Sequence, residues 1–129
     1  MREILFRGKR KTNGEWIYGD YFRSKICNTE LGIRVVHSIT FFQNGEEYSY
    51  TIDPDTIGQY TGLTDKNGKK IFEGDIVKHL SDNMVYLIEY DNRFGMYVSK
   101  QKNSSYSGCI RCEIIGNIYD NPELLEGQS

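Results

Sequence analysis

The sequence predicts an all-β, or nearly all-β, protein: an N-terminal β-hairpin and meander over residues 1–53, then a small SH3-like barrel with a short C-terminal tail over residues 54–129. Three observations predict it. Ten Tyr and six Phe accompany many Ile, Val and Thr, and flat or β-branched side chains pack well on a pleated surface. Thirteen Gly against two Pro suit frequent tight turns. No helical spacing of three and four stands out in the first half of the chain.

The opening reads as a hairpin, with strands over 3–9 and 15–22 joined at Asn13-Gly14. Asn-Gly suits a type I′ turn, because both central residues need positive φ. A two-residue loop sets Lys11 opposite Trp16, Lys9 opposite Tyr18, Arg7 opposite Asp20 and Leu5 opposite Phe22. One face then carries Ile4, Phe6, Ile17 and Tyr21, the expected core. The other carries Arg7, Lys9, Lys11, Trp16, Tyr18 and Asp20. Further strands are expected over 31–42 and 46–52, around a second turn at Asn44-Gly45, with Pro54 ending the last.

After Pro54 the punctuation becomes regular. Strands are expected over 56–63, 71–72, 76–80, 84–90, 94–99 and 109–119. Turns fall at Asn67-Gly68, at the Glu73-Gly74-Asp75 corner, at 81–83 and at 91–93, with a polar loop over 100–108. Asn121-Pro122 opens a tail long enough for one helical turn. Short strands at this spacing suit a small barrel or sandwich, with the seam between the halves near Asp53-Pro54.

Composition narrows the function classes. The longest apolar runs are a few residues, against about 20 for a membrane-spanning helix. The N-terminus lacks the apolar core of a signal peptide, so a bacterial cytoplasmic location is expected. Cys27, Cys109 and Cys112 are too few, and odd in number, for a secreted disulfide scaffold. The formal charge is −2. Residues 1–40 carry eight Lys/Arg against four Asp/Glu, whereas 41–80 and 81–129 each carry four against seven. The basic first third hints at an anionic partner for the N-terminal part, against the charge fluctuation that any chain shows.

The residues also carry a family resemblance. Ile4-Leu5-Phe6-Arg7-Gly8-Lys9 and Gly14-Glu15-Trp16-Ile17-Tyr18-Gly19 open it. The run from Ile52-Asp53-Pro54-Asp55-Thr56-Ile57-Gly58 through Tyr60-Thr61-Gly62-Leu63 and Asp65-Lys66-Asn67-Gly68 to Glu73-Gly74-Asp75-Ile76-Val77 continues it. Ile115-Gly116-Asn117-Ile118-Tyr119 and Asn121-Pro122-Glu123-Leu124-Leu125 close it. With these motifs the chain resembles the YopX family of small proteins encoded by phages and prophages. The resemblance implies a β-rich fold with an SH3-like element. It brings no catalytic residues and no cofactor.

The most pointed site reading is the basic-aromatic hairpin face. Lys and Arg contact phosphates, and aromatic rings stack on unpaired bases at about 1–3 kcal/mol each. Arg7, Lys9, Lys11, Trp16 and Tyr18 are therefore candidate nucleic-acid contacts. The structural alternative is that the Lys stems cover the rings as ordinary cross-strand pairs. Cys109-Ile110-Arg111-Cys112 has zinc-ligand spacing, but a structural site needs about four ligands, so a buried thiol is expected and no metal is assigned. Asp53, Asp55, Asp65, Glu73, Asp75 and Asp91 fall in turns, where carboxylates bond nearby amides. His37 and His79 lack a partner with nucleophile spacing, and no P-loop or nucleophile elbow occurs. The expected function is a small interaction module that binds a phage or host protein, without catalysis of its own and inclined to self-associate through strand edges. A nucleic-acid-binding accessory protein is the alternative, and an enzyme with a carboxylate site assembled in space is the third reading.

Overall fold

The structure is a computed structural model that describes residues 3–28, 30, 32–92, 96–101, 104–107 and 111–126. Among the described residues it is nearly all β, with two antiparallel sheets and one short helix. The chain divides into two compact units, Met1–Gln59 and Tyr60–Ser129.

The first unit contains β1 (Phe6–Lys9), β2 (Trp16–Asn28), β3 (Gly32–Gln43), β4 (Glu46–Thr51), a 3-10 turn at Pro54–Thr56 and the start of β5 (Gly58–Thr64). Its strands lie in the order β4-β3-β2-β1-β5. The first hairpin differs from the expected register. Lys9 pairs with Trp16 and Arg7 with Tyr18. The loop is four residues long, closed by Arg10 N–H to Glu15 C=O at 2.9 Å. Asn13 is the reason: its side chain accepts the Glu15 N–H at 3.0 Å, and of the Asn-Gly pair only Gly14 has positive φ. The slip is two residues, so every side chain keeps its face. The two-residue turn with both φ positive occurs instead at Asn44-Gly45, φ 53° and 81°, where Gln43 pairs with Glu46.

Beyond Phe22 the chain does not leave the sheet. Strands β2 and β3 continue as a ribbon to Asn28↔Gly32. The core of this unit is Ile17, Ile39 and Ile52, with Phe6, Phe41, Tyr50 and Ile57 packed on it. Ile17 is thus core as expected, Phe6 borders it, and Ile4 is 67% exposed. The Asp-Pro-Asp-Thr motif locks β1 to this core. Asp53 caps the 3-10 turn by accepting the Asp55 N–H, and Thr56 Oγ1 accepts the Lys9 N–H at 2.9 Å.

The second unit holds the rest of β5 with β6 (Lys70–Phe72), then β7 (Asp75–His79), β8 (Val85–Asp91), β9 (Met96–Gln101), β10 (Ser104–Ser107), β11 (Cys112–Asn117) and α1 (Glu123–Glu126). Its five-stranded sheet runs β10-β9-β8-β7-β11. Among the described residues no closed barrel forms. The expected polar loop over 100–108 contains β10, which pairs with β9. The core is Ile71, Val77, Tyr86, Ile88 and Cys112.

The turn carboxylates hold this unit together. Asp65 Oδ1 accepts N–H bonds from Asn67 and Lys69 at 2.9 Å each, and Oδ2 accepts that of Ile114 at 3.1 Å. Asp75, 2% exposed, accepts the Phe72 N–H at 2.7 Å. Burial alone would raise the Asp65 pKa, but those backbone donors and Lys69 bring it below the ordinary value. Asn117 and Asn121 do the same for the tail: Asn117 Oδ1 takes the Tyr119 and Asp120 N–H groups, and Asn121 Oδ1 takes that of Asn117.

Candidate interaction surface

The register of the first sheet decides which side chains share its outer face. Arg7 and Lys9 on β1, Trp16, Tyr18, Asp20, Phe22, Ser24 and Ile26 on β2, and Arg34, Val36, Ser38, Thr40 and Phe42 on β3 all point away from the Ile17–Ile39 core. Glu47, opposite Phe42, joins them from β4.

Four of the five candidate nucleic-acid contacts lie on this face. The Arg7 guanidinium sits 4.8 Å from the centre of a Trp16 ring, and the Lys9 ammonium 5.7 Å. Both distances are within cation–π range. Arg7 is only 5% exposed, while Tyr18 is 46% exposed. Lys11 is exposed in the loop and does not oppose Trp16.

Sequence reasoning missed the larger feature of the face. Phe22 is 52% and Phe42 69% exposed, with Ile26 at 44%. Phe22 was read only as the partner of Leu5, and Phe42 as the end of a strand. Counting alternate positions from Ile17 along β2 and from Ile39 along β3 would have placed both opposite the core.

His79 Nε2 lies 3.1 Å from Ser99 Oγ, a spacing that suits a base beside a nucleophile. Ser99 is fully buried, however, and the His79 ring packs at 4.1 Å on Tyr86. No substrate reaches that hydroxyl. Burial holds the His79 pKa below its ordinary value, with nearby Asp82 acting in the opposite sense. Among the described residues no group of three or more His, Cys, Asp or Glu could hold a metal ion. Cys112, expected as a buried thiol, is buried but disulfide-bonded. Cys109 lies outside the described residues, and Cys27 is free and exposed. No helix is long and apolar enough to cross a membrane among the described residues.

Comparison with known proteins fits this architecture. The profile of the YopX protein family matches residues 5–126, nearly the whole chain. The chain belongs to the YopX family. No curated protein matches. Among solved structures, the chain is similar to the crystal structure of protein EF1440 from Enterococcus faecalis. The two share 22% identity with a TM-score of 0.56, covering 97% of this chain and 99% of that one. That likeness is one of fold. The family motifs themselves map onto the caps, corners and bonds described above. Asp53, Thr56, Asp65, Asp75, Asn117 and Asn121 each hold a backbone group in place.

Proposed function

We propose that this member of the YopX family is a phage- or prophage-encoded interaction module of the bacterial cytoplasm, docking a protein partner on the outer face of its first sheet. The observation that carries the reading is the exposure of Tyr18, Phe22 and Phe42, at 46%, 52% and 69%, on one face. Aromatic side chains and Arg are enriched in the cores of protein interfaces, because they bury large areas and keep a polar tip. Charge on the face is nearly balanced, with Arg7, Lys9 and Arg34 against Asp20 and Glu47. Apolar area therefore outweighs net charge as the source of attraction, which favours a protein over a polyanion. Self-association through the β4 edge belongs to the same reading, as does an SH3-like ancestry for the second unit.

Tagged protein is used to capture partners from phage-induced cells, with and without nuclease. The reading expects a protein that survives nuclease and is lost with Phe22→Ser/Phe42→Ser. Recovery that collapses with nuclease would move the function to nucleic acid and to Arg7, Lys9, Lys11, Trp16 and Tyr18. That second reading rests on the Arg7 and Lys9 cations over the Trp16 ring and on the exposed Tyr18 across from Arg7.

A further inference from the structure

The hairpin of β2 and β3 runs on past the sheet that holds it. Strand β1 last pairs with β2 at Gly19, and β4 last pairs with β3 at Ser38. The Ile52 N–H bond to His37 C=O, at 2.8 Å, closes the sheet on that side. Residues 23–28 and 32–37 then continue as a two-stranded ribbon, from Arg23↔His37 to Asn28↔Gly32. At about 3.3 Å per residue the ribbon is about 20 Å long. Arg23, Ser24, Lys25, Ile26 and Cys27 on one strand, and Ile33, Arg34 and Val35 on the other, are all exposed. Two strands alone are marginally stable in water, so such an arm gains from a surface that covers both of its faces.

Charge says what kind of surface. Residues 22–37 carry three Lys/Arg and one Asp/Glu, in a chain of formal charge −2. Glu30 lies in the connecting loop, whereas Arg23, Lys25 and Arg34 lie on the strands. Among the described residues none of these three cations makes an ion pair or a side-chain hydrogen bond. Alternation puts them on both faces of the ribbon. Arg23 and Lys25 share the side of Ile17, and Arg34 shares the side of Phe22. A flat acidic surface meets only one face of such a ribbon, while a groove with anionic walls meets both. A β-layer with its side chains is about 10 Å thick. The major groove of duplex DNA is about 12 Å wide and admits a two-stranded ribbon, against about 6 Å for the minor groove.

We propose that the β2–β3 ribbon is an arm that enters the major groove of duplex DNA, with Arg23 and Lys25 toward the phosphates of one strand and Arg34 toward those of the other. Ile26, Ile33 and Val35 lie among the cations, and thymine methyl groups in that groove accept apolar contact. Phosphate contacts position a protein without reading sequence, so the arm holds a duplex without strong sequence preference. It needs none of Tyr18, Phe22 or Phe42, and so stands apart from the docking face. It also needs none of Arg7, Lys9 or Lys11.

The test is fluorescence anisotropy of a labelled DNA duplex titrated with the full chain at low salt, with reductant to keep Cys27 a thiol. Saturable binding is expected, with log affinity falling against log salt at a slope of about −2.7 for three neutralised phosphates. A fourfold rise in salt then weakens binding about fortyfold. Arg23→Gln, Lys25→Gln and Arg34→Gln should each reduce the slope by about one, and the triple variant should lose binding. All three positions are exposed, so the urea midpoint of each variant should match the native one. Duplex RNA and single-stranded DNA should bind more weakly, because the RNA major groove is too narrow for the ribbon and a single strand offers no second wall. The proposal is overturned if no duplex binds at low salt, if duplex RNA or single strands bind as tightly, or if the triple variant binds like the native chain. Binding that is lost instead with Lys9→Glu/Lys11→Glu places the nucleic acid on the first hairpin and overturns it as well. So does a triple variant that alters only the self-association of the chain, which assigns the ribbon to a second copy.

Discussion

Replacing Asp65 by Asn tests the account of what holds the second unit together. The change preserves shape and removes the charge. In the native protein Oδ1 accepts from Asn67 and Lys69, and Oδ2 accepts from Ile114 on β11. An Asn can keep its carbonyl toward the first two donors, but its NH₂ then meets the Ile114 N–H. That leaves a part-buried donor unsatisfied, at about 1–3 kcal/mol. The two retained bonds also lose their charge assistance, and charged bonds are about twice as strong as neutral ones. A total near 3 kcal/mol follows, read as a drop in the urea midpoint at pH 7 with unchanged slope. The loss should also depend on pH with a defined sign. Burial acts to raise the Asp65 pKa, yet the backbone donors and Lys69 leave it lowered. A carboxylate with a depressed folded pKa contributes stability above its unfolded pKa of about 3.9 and loses it as pH falls through the folded value. The gap between native and Asp65→Asn proteins should therefore be full at pH 7 and close below pH about 4. A gap under about 1 kcal/mol at pH 7 would refute the reasoning, as would a gap that persists in acid.

Other expectations follow from single sites. In Gly8→Ala the new Cβ would overlap Ile52 Cγ2 and press on Ile39. Overpacking of that kind costs about 1–3 kcal/mol, and Ile52→Val in the same chain should return part of it. At Gly45 the Cβ of an Ala meets nothing, but φ is 81°, so Gly45→Ala should cost about 1–2 kcal/mol through backbone strain alone; a second-site change in the core should not rescue it. Phe42→Ser, at an exposed position, should leave the unfolding free energy from urea titration within about 0.5 kcal/mol of native while removing partner capture. His79 is desolvated, with Asp82 opposing only in part, so its pKa lies below the usual value. The unfolded chain then binds more protons, and stability should fall as pH drops below about 6.5. Proton NMR of the His79 ring should show its midpoint below that of a free histidine.

Most strand positions were legible because turn chemistry brackets them. Asn44-Gly45, Asp65 to Gly68, Glu73-Gly74-Asp75 and Asn121-Pro122 all mark the ends of elements in the structure. Where the reading failed, the deciding contact was not local. Asn13-Gly14 and Asn44-Gly45 look alike, but the Asn13 side chain takes the Glu15 N–H and widens its loop. The ribbon past Phe22 has both faces exposed, so Arg23 to Cys27 show no hydrophobic alternation to read. Strand β10 is polar, Ser-Ser-Tyr-Ser, and is held by the backbone ladder to β9, which composition does not reveal.

The motif residues that hold turns and the exposed aromatic residues Phe22 and Phe42 are different sets. Asp53, Thr56, Asp65, Asp75, Asn117 and Asn121 spend their side chains on backbone donors. Replacing such a group leaves its backbone donors open, at about 1–3 kcal/mol per buried donor. This is why the resemblance specifies the fold so fully and the role so little. Phe22 and Phe42 have the opposite character. They are exposed, and removing their rings takes away contact area without opening the core. Substitutions in the first set should therefore act through stability, and substitutions in the second through binding at unchanged stability. The Asp65→Asn and Phe42→Ser variants stand at the two ends of that division, so measuring both stability and partner capture on each separates folding from function.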